Sequence, residues 1–207
     1  MEAKKGRREM KKFELTTEFI TNAFGKKLFR IKALVEFGDV KAGELGGYVE
    51  KEGNVSQDDN AWVSGDAEVF GNAKVSGNAK VFGNAKVYDN AWVSGDARVY
   101  DNAWVSGDAR VSGDAWVSDN AWVSGDARVS GDADYALVQG FGTEFRCTTF
   151  YRGKNKKIMV NCGCFHGDLE GFRKQVKETR NGKIAKEYLM IADLMEYHFT
   201  SEDSSNE

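Results

Sequence analysis

The chain has 207 residues, 41% of them apolar, with three cysteines, no proline and a formal charge of −3. No apolar run is long enough to span a bilayer, and no stretch has the basic start, apolar middle and small-residue cleavage site of a secretory leader. Together with an odd cysteine count, which does not suit a secreted disulfide framework, this leads us to expect a cytoplasmic protein with no membrane partner.

Residues 1–12, MEAKKGRREMKK, carry six Lys or Arg against two Glu and read as a basic flexible tail. Residues 13–52 read as an N-terminal cap. A strand-like run, Phe29 to Val35, leads into the glycine-rich turns of GELGGYVEKEG.

From Asp59 the chain repeats in sixes without insertion or loss: DNAWVS, GDAEVF, GNAKVS, GNAKVF, GNAKVY, DNAWVS, GDARVY and so on to GDARVS and a fading GDADYA. Each unit opens with Gly or Asp followed by Asn or Asp, residues that tolerate the backbone angles of a tight turn. Ala-x-Val-y completes the unit, with Ala and Val on one face and x and y on the other. So short a strand cannot bury its Val alone, but stacked coils can. Residues 59–136 carry six Lys or Arg against twelve acids, an acidic middle between basic ends.

Over residues 53–136 this pattern resembles the hexapeptide-repeat, left-handed β-helix superfamily. The resemblance implies a mainly β fold, a triangular prism with three hexads per coil, four coils from twelve clear hexads, and a tendency to form trimers. The wider layout is similar to a group of phage- and prophage-encoded proteins with a GELGGYVEKE-like lead-in and an FYR…IMVNCGCF…EGF…KEYL tail. That similarity implies an accessory role, binding or sequestering a host component, such as one of defence, in the host cytoplasm.

With three hexads per coil, residues 18 apart form columns, and all five tryptophans fall at outward positions. The first face carries Trp62, Phe82, Tyr100 and Trp116 and the second Phe70, Tyr88, Trp104 and Trp122. The third carries Lys74, Trp92, Arg110 and Arg128, and is expected to stay wet. Outward tryptophans mark contact surfaces, so these aromatic columns are the candidate partner or oligomer surface. Trp104 and Trp122 are expected to stack, with Lys86 in cation–π range of Trp104. Aromatic ladders that merely stabilise the sheet are the plain alternative. The corner columns Asp96–Asp114–Asp132 and Asp101–Asp119 are expected to cap turn N–H groups.

The best-known relatives of such prisms are acyltransferases with an active-site histidine, but this repeat contains no His, and the chain has no phosphate loop or nucleophile elbow. We therefore expect a non-catalytic binding scaffold without a cofactor. An atypical acyltransferase and a structural particle or filament component are the alternatives.

Residues 137–199 read as a small ββαα module docked on the prism end. FRCTTFYRGKNKKIMVNC makes a hairpin turning at Gly153 to Asn155, and Asp168 caps a helix over LEGFRKQVKETR. Asn181-Gly182 breaks that helix. A second helix comes next, its apolar face made by Ile184, Tyr188, Ile191, Leu194 and Met195. Arg146, Arg152, Lys154, Lys156 and Lys157 are expected to cluster at the hairpin tip as a candidate phosphate or nucleic-acid contact. Cys147, Cys162, Cys164 and His166 have zinc-ligand chemistry but not the usual spacing, so buried thiols are the preferred reading and no metal is expected. Residues 200–207 read as an acidic disordered tail.

Overall fold

The computed structural model describes residues 11–200; most of the expected basic tail and of the acidic tail lie outside the described residues. Three strands come first: β1 (Phe13–Thr21), β2 (Lys27–Ala33) and β3 (Leu45–Val49). Twelve two-residue strands then recur every six residues and form three parallel ladders. The first face holds β4 (Trp62–Val63), β7 (Lys80–Val81), β10 (Arg98–Val99) and β13 (Trp116–Val117). The second holds β5 (Glu68–Val69), β8 (Lys86–Val87), β11 (Trp104–Val105) and β14 (Trp122–Val123). The third holds β6 (Lys74–Val75), β9 (Trp92–Val93), β12 (Arg110–Val111) and β15 (Arg128–Val129). The protein is thus a three-sided parallel β-solenoid.

Its interior is dictated directly by the hexad. Every valine from Val63 to Val129 and every alanine from Ala61 to Ala127 is at most 1% exposed. The first corner residue must take positive φ. Gly107 does so at +67°, and a Cβ there would fall 2.8 Å from the Gly125 backbone nitrogen. Where Asp stands instead, at Asp59, Asp89, Asp101 and Asp119, φ is +55° to +60°.

The solenoid has about five turns rather than the four expected. β3 pairs in parallel with β5, and Val55 bridges Val75, so Val49 and Val55 already occupy interior rungs. The lead-in keeps the geometry while lacking the hexad letters, because a valine-sized plug is all the interior requires.

Between coils the outward-facing residues donate forward along the column: Trp62 N–H donates to the Ala79 carbonyl and Lys80 N–H to that of Ala97, each at 3.0 Å. The first and last coils are each left with backbone groups that no further coil pairs. At the start, the Lys12 ammonium donates to the carbonyls of Asp58, Asp59 and Ala61, and the Asn54 amide to those of Gly71 and Ala73. At the far end, Asp132 Oδ1 accepts from Trp116 N–H, Thr149 Oγ1 from Trp122 N–H and Asp134 Oδ2 from Ser130 N–H. The β1–β2 hairpin plugs the mouth with Phe13 and Ile31, both fully buried.

The C-terminal module has four antiparallel strands, not two: β16 (Tyr135–Phe141), β17 (Arg146–Arg152), β18 (Ile158–Cys162) and β19 (Phe165–Asp168), in that order across the sheet. β16 begins inside the fading hexad GDADYA, which hides it, and β19 is only four residues long. Helices α1 (Leu169–Thr179) and α2 (Gly182–Thr200) complete the module. Asp168 caps α1 by accepting from Gly171 N–H at 2.9 Å. Alternation along β17 joins the two bodies: Tyr151 packs into the solenoid core and Phe150 into that of the module. Along α2 the expected Leu194 instead faces out, 58% exposed, while Ala192 and Phe199 complete the buried face. No helix among the described residues is long and apolar enough to cross a membrane.

Candidate interaction surface

The second face is partly claimed by the chain itself. Phe24, in the β1–β2 turn, lies over Phe70, Tyr88 and Trp104, with centroids 5.4, 5.2 and 6.2 Å away. Leu28 and Tyr48 complete the cover, so that Phe70 and Tyr88 are buried, and this burial pushes the Tyr88 phenol upward. Phe70 and Tyr88 stack at 5.1 Å with planes 4° apart. Trp104 and Trp122 do not stack as expected. They meet edge to face at 6.2 Å and 69°, because the Trp122 indole N–H donates to Ser106 Oγ at 3.3 Å and turns its ring. Lys86 stands 5.7 Å from the Trp104 ring, as expected, and also pairs with Glu68 at 2.9 Å.

On the first face Trp62 keeps its outward position but is buried under Phe13 and Phe37. Below it Phe82 and Tyr100 stack at 4.9 Å and 4°. Trp116 meets Tyr100 edge-on, and the Arg98 guanidinium lies 4.7 Å from the Trp116 ring. Lys80 pairs with Asp39 of the cap. On the third face Trp92 donates to Ser76 Oγ at 2.9 Å, and Arg110 lies 5.7 Å from its ring. Lys74 and Arg110 are exposed there, whereas Arg128 is turned inward onto the carbonyls of Asp108, Asp126 and Ala127.

One indole on each face is therefore open: Trp92 at 42%, Trp116 at 45% and Trp122 at 38%. The division between covered and open aromatics is what sequence reasoning missed. Its signal was the apolar Ile20, Phe24 and Leu28, which a hairpin sets against the second face.

The corners resolve in two ways. Asp132 caps a backbone N–H as expected, and Asp89 Oδ2 accepts from Gly107 N–H at 3.2 Å. Between coils an amide ladder also runs, from Asn60 to Asn78 at 3.0 Å and from Asn78 to Asp96 at 2.9 Å.

The five basic residues do not form one cluster. β17 is seven residues long, so Arg146 at its start and Arg152 at its end stand roughly 20 Å apart. Arg152 is committed to Asp134 at 3.0 Å and lies over Phe199, and Lys157 pairs with Asp168 at 3.6 Å. Lys154 and Lys156 remain exposed at the turn.

The cysteines are likewise separated. β18 ends at Cys162, whose sulfur accepts from Thr148 Oγ1 at 3.2 Å, and Gly163 at positive φ turns the chain so that Cys164 sits exposed in the turn. Burial pushes the Cys147 thiol up to about 11. Among the described residues no group of three or more His, Cys, Asp or Glu gathers to hold a metal. His166 instead joins the module to the last coil. Its Nδ1 lies 2.5 Å from Asn161 Oδ1, 3.4 Å from Ser124 Oγ and 3.5 Å from the Tyr151 hydroxyl. All three neighbours crowd one ring nitrogen, so Ser124 and Asn161 do not sit on opposite sides of the imidazole as a nucleophile relay requires.

Among known families, the model described as YdcK Beta solenoid repeat matches the chain at residues 91–107, 103–119 and 109–125. These matches fall within the coils and agree with a repeat β-solenoid. No curated protein matches the chain.

Proposed function

We propose that this protein is a non-catalytic interaction scaffold, a rigid column that offers indoles and guanidiniums to protein surfaces. The open indole on each face carries the reading. Exposed tryptophan is the side chain most enriched at the centre of protein contacts. Phe70, Tyr88 and Trp62 already serve the fold, so Trp92, Trp116 and Trp122 are the residues left to serve a partner. Packing of prism faces into a homotrimer is one form of this reading.

The chain's own cap and module occupy both ends of the column, which weighs against end-to-end growth into filaments. Placement among hexapeptide-repeat proteins of phage origin, acting on a host component, rests on the GELGGYVEKE lead-in and the IMVNCGCF tail. One observation favours the acyltransferase alternative: His166 lies beside Ser124 of the last coil, giving the prism end a histidine that the repeat lacks.

The test compares sedimentation mass and partner capture for the parent and a Trp92→Ala/Trp116→Ala/Trp122→Ala variant. Any captured protein is then purified and titrated directly. The parent should form a closed oligomer or bind the purified partner, and the variant should lose at least tenfold in either association. Unchanged association would overturn the reading, and saturable coenzyme A binding would favour the transferase.

A further inference from the structure

A cleft opens in the C-terminal module between the β16–β17 loop, the β18–β19 turn and the two helices. Its floor is apolar, made by Phe165, Phe172 and Val176, and its rim carries Arg146 and Arg180. Two glycines shape it. A Cβ on Gly142 would fall 2.4 Å from the Tyr188 hydroxyl and 3.1 Å from its ring, and Gly163 beside Arg146 holds a φ of +60°, which favours glycine.

Among the described residues neither rim arginine has a close carboxylate. The ion pair of Arg146 with Glu144 is long, at 3.9 Å, and Arg180 Nη1 reaches the Thr179 carbonyl at 3.5 Å. Arg173, outside the cleft, shows what a committed arginine does here: it binds Glu170, Asp193 and Glu196 at 2.6 to 2.8 Å. Two guanidiniums at one rim repel each other, and an anion between them would relieve this while taking paired N–H donors from each. Among the described residues Glu144 is the single carboxylate on the lining.

We propose that this cleft binds a small amphipathic anion, a phosphate or carboxylate whose head sits between Arg146 and Arg180 and whose short apolar group rests on Phe165, Phe172 and Val176. The volume of the cleft, about 80 Å³, sets the size. A cavity of about 150 Å³ accepts benzene, so this one takes roughly three or four carbons. Glu144 stands against the head group and acts as the rim's counter-charge. This site is separate from the prism faces and does not depend on their role.

The experiment titrates the full chain calorimetrically with n-butyl phosphate, using inorganic phosphate for comparison. Butyl phosphate should bind with a dissociation constant of roughly 1 mM or below, and roughly a hundredfold more tightly than inorganic phosphate, since each of the roughly three or four buried carbons contributes about fourfold. Arg146→Gln and Arg180→Gln should each weaken it by roughly tenfold, and Glu144→Gln should tighten it. A readout on the parent alone guards against misfolded variants: butyl phosphate should slow iodoacetamide alkylation of Cys164, whose side chain lines the cleft. Absence of binding up to roughly 10 mM, parental affinity in both arginine variants, or undiminished Cys164 alkylation under butyl phosphate would each overturn the proposal.

Discussion

Lys12 Nζ donates to the Ala61 carbonyl at 2.9 Å, and with the Asp58 and Asp59 carbonyls it closes the open corner of the first coil. The side chain is 4% exposed, and burial lowers its ammonium to about 8. The folded pKa thus lies below the unfolded one. Between about pH 8 and the ordinary lysine value the unfolded chain holds a proton that the folded chain has shed, so stability from this group rises with pH across that window. Chemical denaturation from pH 7 to 10.5 should show that rise in the parent, and Lys12→Met should lack it. At pH 7 the same variant should lose about 1–3 kcal/mol through three stranded carbonyls.

Glu68 and Lys86 form the best-shielded ion pair on the second face, at 2.9 Å, and the Asn22 amide also donates to Glu68 at 3.0 Å. Glu68→Ala would leave the Lys86 ammonium without its carboxylate under the hairpin. We expect a loss of about 2–3 kcal/mol, read by urea denaturation, with Glu68→Ala/Lys86→Met recovering part of it.

The Asn78 amide donates to Asp96 and accepts from Asn60, linking three coils. Asn78→Asp removes the donor and sets two carboxylates on adjacent coils. A loss of about 1 kcal/mol at pH 7 is expected, shrinking as the pH falls through the carboxylate range. A pH series of melting curves on parent and variant measures it, and a loss that does not change with pH would count against like-charge repulsion.

The thiols should react in an order set by their surroundings. Cys164 is exposed, whereas burial holds Cys147 near 11 and so almost wholly protonated at neutral pH. Mass-resolved alkylation at about pH 7.5 should modify Cys164 first and Cys147 far more slowly, with all three reacting in denaturant.

The hexad made the column legible in advance because its interior demand is so narrow: small at the corner, valine on the flat, nothing else. The lead-in rung at Val49 escaped because it meets that demand without the surrounding letters, and Val55, inside the range read as β-helix, stays outside the coil count for the same reason. The covering of Phe70 and Tyr88 escaped for a different reason. It depends on where the Phe24 turn lands, a long-range contact that no local pattern encodes. Arg146 could be picked out as an anion contact, but not its neighbourhood. Arg180 reaches the same cleft from the end of α1, and only the folding of the helices over the four-stranded sheet brings the two together.

Because three units complete one circuit, the number of units decides which side of the protein the terminal module overhangs. Removing eighteen residues between Val93 and Val129 would shorten the molecule and leave its two extremities facing as before. Removing six would swing the anion cleft by roughly a third of a revolution relative to the N-terminal hairpin. Gain or loss of repeats in such a gene is therefore a rotary adjustment, able to re-aim one binding feature against another without altering a single contact inside either.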